Sequence, residues 1–67
     1  MGDAEELNLL RETYEHALAS YEAACSAINR HLVAGTRPRS EDLQREQDAR
    51  AVLDAARRLY LDAWMLP

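Results

Sequence analysis

The stretch Tyr14–Ile28, YEHALASYEAACSAI, is a seven-residue phrase stated twice, YEHALAS then YEAACSA, and closed by Ile28. Tyr14 and Tyr21 hold one position of the phrase, Ala17 and Ala24 another. A seven-residue repeat puts all four on one stripe of an α-helix and leaves charge on the far side. The stripe continues in both directions as Leu7, Leu10, Tyr14, Ala17, Tyr21, Ala24 and Ile28, its steps alternating three and four. Leu18, Cys25 and Leu32 add a neighbouring row, so the apolar face is wider than a two-stranded seam requires.

The ends of this helix are written in the sequence. Asp3 with Glu6 three residues on has the form of a capping box. Glu5 and Glu6 suit the positive end of the dipole, and Arg30 and His31 the negative end. Gly35 is the natural residue just past the C-terminus, because it takes a left-handed conformation at little cost. Pro38 disfavours helix at Arg37 and prevents one continuous rod. Ser40 is the expected cap of a second helix, with Glu41 and Asp42 in its first turn. The reading is a single domain over residues 1–67. It has a helix from about 4 to 34, a turn over 35–39 and a helix from about 41 to 65.

The second helix has a polar first half in which Leu43 is the one large apolar residue. From Ala49 a seam runs Ala49, Val52, Ala56, Leu59, Ala63, Leu66, with Leu53 and Tyr60 beside it. Laid antiparallel, as a short turn demands, the two seams match where residue numbers sum to 73. Leu7 then faces Leu66, Tyr14 faces Leu59, Ala17 faces Ala56, Tyr21 faces Val52 and Ala24 faces Ala49. The alanine layers let the helix axes approach the lower end of the roughly 8–10 Å range. Ile28 meets Arg45 in this register, so the polar half of the second helix is expected to leave the lower part of the first uncovered. The expected fold is an all-α, antiparallel two-helix hairpin.

Composition limits the alternatives. Sixty-seven residues give one small domain of marginal stability, which disulfides, a metal or oligomerisation ordinarily supplement. The one cysteine, Cys25, excludes an internal disulfide and fits a reducing compartment. Residues 3–6, DAEE, are not the start of a signal segment, and Glu6 breaks the myristoylation pattern that Met-Gly would open. No apolar run approaches the roughly 18 residues of a spanning helix. These features read as a cytoplasmic protein with no membrane partner. A net charge of −4 opposes nucleic acid as the main partner. All eight basic residues are Arg, which a GC-rich genome explains as readily as function.

A lone hairpin has no third layer for its broad face. The residues left over are Leu18, Cys25, Ile28 and Leu32 on the first helix, and Leu53, Tyr60, Leu61, Trp64 and Met65 on the second. Each large side chain buried contributes about 1.5–3 kcal/mol. Together they form a patch of a size that monomers avoid. A homodimer forming a four-helix bundle is the economical cover, with another helical protein as the alternative. Trp64, beside Met65 and Leu66, has the character of an interface anchor, or equally of a plug at the end of a bundle.

Nothing in the sequence names a chemistry. Glu12 and His16 are four apart with Glu15 adjoining, but without a second pair they read as a solvated face rather than a metal site. His31 reads as a helix-end cation. Cys25, between Ala24 and Ser26, reads as a small packing residue rather than a nucleophile. No glycine-rich phosphate loop and no nucleophile–base pair is present. No catalytic, cofactor or metal residue is therefore expected, and an enzyme built on the bundle interior ranks last. Arg30, Arg37, Arg39 and Arg45 cluster about the turn. Residues 17–39 hold three of them against Glu22, a net +2 within an acidic protein. These arginines are a candidate patch for a phosphate, an acidic partner or RNA, beside their simpler role in balancing helix dipoles.

In size and layout, helix, glycine turn and helix, the chain resembles the short hairpin co-chaperones of type III secretion needle subunits. The likeness spans the whole length and rests on form. It implies a small chaperone that covers an amphipathic helix of a partner. The expected function is thus a small, bacterial-type structural or interaction module acting by helix–helix association. A co-chaperone and an RNA- or polyanion-binding regulator acting through the arginine turn are the alternatives.

Overall fold

The computed structural model describes the backbone of residues 2–65 and side chains from Ala4 to Met65. Two helices, α1 (Gly2–Ala34) and α2 (Ser40–Met65), pack against each other as a hairpin. The result is a rod of 52 × 15 × 13 Å. Its length is about that of α1 alone, since 33 residues at 1.5 Å each span roughly 50 Å. The expected role of Leu66 in the seam and the side-chain cap expected of Asp3 lie outside the described residues.

The turn forms as the glycine implies. Gly35 has φ of 73°. Its N–H donates to the carbonyl of Leu32 at 3.2 Å, and the N–H of Thr36 donates to that of His31 at 2.8 Å. These are the two hydrogen bonds of a Schellman motif, and they satisfy carbonyls that the end of α1 would otherwise leave unpaired. Helix α2 starts one residue earlier than the sequence suggests. The carbonyl of Arg39 accepts from the N–H groups of Asp42 at 3.0 Å and Leu43 at 3.1 Å. Arg39 therefore stands at the cap position and Ser40 is the first helical residue, so the capping role expected of Ser40 is not in place.

On α1 the expected seam holds. Ala17 and Ala24 are buried, and Leu7, Leu10, Tyr14, Tyr21 and Ile28 are half-buried. On α2 the seam is different. Val52 and Leu59, expected to face Tyr21 and Tyr14, are 59% and 57% exposed. The covered residues are Asp42, Glu46, Ala49, Leu53, Ala56, Tyr60 and Ala63, again in steps of four and three. Both seams contain Ala49, Ala56 and Ala63, so the alanine layers are common to them. The observed one runs from the first turn of α2, whereas the expected one begins only at Ala49. Turning α2 this way brings Tyr60 to Tyr14, with ring centroids 6.1 Å apart. It also covers the lower part of α1 with Asp42 and Glu46, which the sequence reading leaves open.

The fully buried apolar residues are three alanines, Ala17, Ala24 and Ala56, and no large side chain is fully buried among the described residues. The contact is thin, and close approach of the helices is what makes it. Ala24, 1% exposed, has no room for a longer side chain. Ala24→Leu should separate the helices and cost about 1–3 kcal/mol in urea unfolding. Gly35→Ala meets open space, so its cost is conformational alone, about 1–2 kcal/mol. Thermal unfolding should register it as a lower Tm with unchanged helicity.

Candidate functional site

Three groups of residues are candidates. They are a polar cluster against the helix contact, an arginine-lined groove at the turn, and an apolar stripe along one side.

The polar cluster centres on Glu46, 9% exposed on the covered face of α2. Arg50, four residues on, pairs with its carboxylate while its own side chain reaches solvent. A glutamate one turn before an arginine is the favoured order for such a pair. Tyr21 of α1 joins them. Its hydroxyl is held above the ordinary tyrosine pKa of 10.0, chiefly by hydrogen bonding with Cys25, with Arg50 acting in the opposite sense. The guanidinium of Arg50 is pushed above its usual value by Glu46 first and then by Tyr21. No buried side-chain polar atom lacks a partner among the described residues. The pair satisfies a carboxylate on the covered face of α2 from within the same helix, and the sequence reading places Glu46 in the polar first half of α2 with no contact expected of it. The available signal was the four-three spacing from Asp42 through Glu46 to Ala49.

At the turn, His31 is held on both ring nitrogens. Nδ1 lies 3.0 Å from Oγ1 of Thr36, whose hydroxyl donates to the His31 carbonyl at 3.2 Å. Nε2 lies 3.5 Å from Oδ2 of Asp42. His31 thus links the end of α1, the turn and the start of α2. Beside it, Ala27, Arg30, His31, Arg39, Asp42 and Arg45 line one groove. The structure therefore brings together three of the four arginines singled out in the sequence. Arg37 is exposed at the turn and does not line the groove.

The residues singled out for a partner divide in two. Leu32, Leu61, Trp64 and Met65 are exposed. Leu18, Cys25, Ile28, Leu53 and Tyr60 are half-buried, because α1 and α2 already cover part of each. Tyr60 is shared between Tyr14 and Trp64, whose ring centroid lies 6.3 Å from its own. Leu18, Cys25, Leu53, Tyr60, Leu61 and Trp64 follow the side of the hairpin that carries Arg50. Val52 lies on the other side, in a groove with Thr13, His16, Ser20, Arg45 and Asp48. Glu12 and His16 are exposed. Among the described residues, no group of three His, Cys, Asp or Glu side chains is placed to hold a metal ion, and no helix is long and apolar enough to cross a membrane.

The chain matches no protein-family model, no curated protein and no solved structure.

The raised ionisation of Tyr21 has a consequence for stability. The folded state keeps the phenol proton above pH 10, where the unfolded chain releases it, so this contribution is complete below pH 10 and fades as pH rises through the folded value. Unfolding followed from pH 9 to 11.5 should show stability falling above pH 10. Cys25→Ala should flatten that fall and move the Tyr21 absorbance titration toward 10.

Proposed function

We propose that this chain is a protein-interaction module that works by helix–helix association, and that its partner is a second copy, completing a four-helix bundle. The observation that carries the reading is surface area. The chain exposes 5495 Å², whereas surface-to-mass scaling gives about 4,300 Å² for a compact monomer of 7.6 kDa. The excess, roughly 1,200 Å², exceeds the approximately 800 Å² that each partner contributes to a standard interface. The excess includes large apolar side chains rather than only polar ones. Leu61, Trp64 and Met65 are exposed together at the open end, and the Arg50 side continues through Tyr60, Leu53 and Leu18. Among the described residues the buried apolar core is three alanines, a small one, so covering that side supplies stability the single hairpin lacks.

Trp64 is the expected anchor. It is 63% exposed, large, and already fixed on one side by Tyr60. Side chains of this type dominate interface energetics when a partner encloses them. A symmetric pair uses the residue twice, which doubles the effect of any change to it.

The same stripe supports the co-chaperone reading, with an amphipathic helix of another protein as the occupant. The two readings separate in solution. Light scattering after size-exclusion should give twice 7.6 kDa, with helicity and Tm falling on dilution. Trp64→Glu should weaken association at least tenfold and shift the species to monomer, while Val52→Glu on the opposite side should leave the mass unchanged. A fully helical monomer at micromolar concentration would overturn the interaction reading. A poorly helical monomer would transfer the stripe to a heterologous helix.

A further inference from the structure

The arginine-lined groove at the turn is not used by helix association. Arg45 and Arg50 are five residues apart, so they stand about 140° apart around α2 at 3.6 residues per turn. The apolar stripe follows Arg50, and the groove lies on the Arg45 side. A partner on the stripe leaves the groove open.

Three features give the groove the character of an anion site. Arg30 from the end of α1, Arg39 at the cap position of α2 and Arg45, six residues further on in α2, all line it. Among the described residues, the ion pairs are Arg11–Glu15 and Arg50–Glu46, Asp42 faces His31, and none of these contacts engages the three guanidiniums. The one carboxylate in the groove, Asp42, is half-buried and directed to His31. Glu41 is the other acid of that turn, and it is not among the lining residues. The groove also opens beside the N-terminus of α2, where the helix dipole favours negative charge.

We propose that this groove binds a compact, multiply charged phosphate, of the pyrophosphate or polyphosphate-bearing small-molecule class. Planar guanidiniums grip phosphate oxygens in pairs, and three from separate points of the chain suit an anion with several oxygens in a small volume. A long phosphodiester strand fits less well, because the protein carries a net charge of −4 and offers positive potential only locally. A ligand here would bridge the end of α1 to the start of α2, adding to the link already made by His31.

The test is titration of the full chain with inorganic pyrophosphate at low ionic strength, by calorimetry and by amide NMR. The expected result is saturable 1:1 binding, with resonance shifts concentrated between Arg30 and Arg45. Arg30→Ala, Arg39→Ala and Arg45→Ala should each weaken binding about tenfold. Arg39→Lys should recover only part of the loss, since it restores charge but not the planar fork. Arg37→Ala removes the same charge from the same turn and should change affinity less than twofold. All four positions are exposed, and circular dichroism will show whether helicity is retained. No saturation at millimolar pyrophosphate would overturn the proposal. So would equal weakening by Arg37→Ala, or tighter binding of a single-stranded oligonucleotide with equal dependence on all four arginines, since either result means a diffuse positive field rather than a site. None of these outcomes depends on whether the hairpin dimerises.

Discussion

The contact between α1 and α2 is made by alanine, and the rest of the hairpin follows from that. Small side chains let two helix backbones approach closely, and close approach gives many weak contacts along the length of the rod. The same choice leaves almost nothing large inside. Among the described residues Ala17, Ala24 and Ala56 are the buried apolar ones, while tyrosines and leucines around them are only half-covered. Specificity for one register has to come from elsewhere than bulk.

It comes from directional contacts placed between the alanine layers. Near the open end Tyr14 meets Tyr60. Midway, the Glu46–Arg50 pair of α2 lies beside Tyr21 of α1. At the turn, His31 spans Thr36 and Asp42, directly behind the Schellman hydrogen bonds of Gly35. A one-residue slip of α2 would misplace all three. Contacts of this sort contribute little net stability but penalise alternatives, since a slip parts Asp42 from His31 and Tyr60 from Tyr14.

The two long sides of the hairpin differ in kind. One carries an apolar stripe that α1 and α2 build together, with Tyr60 and Leu53 contributing both to the contact and to the surface. The other carries grooves lined by small, polar and charged residues together with Val52, ending in the arginines of the turn. This division separates a surface suited to another helix from one suited to an anion, and lets a thin structure present both.

The sequence by itself determined the hairpin. The doubled phrase of Tyr14–Ile28 set the face of α1, Gly35 and Pro38 set the turn, and the cluster of arginines about that turn was visible as a charge shift. These are local properties, governed by residue spacing and backbone preference. What only the tertiary structure decided is which face α2 presents. Two interleaved seams share Ala49, Ala56 and Ala63, and hydropathy favours the one through Val52 and Leu59. Packing chose the one through Leu53 and Tyr60, which sets Tyr60 against Tyr14 and brings Asp42 to His31. A polar residue is legible as a contact residue only when its partner is known, and that partner comes from across the helix contact or from a turn away. The fold likewise brings Arg30, Arg39 and Arg45 to one groove and leaves Arg37 out, a distinction of placement that no count of charges contains.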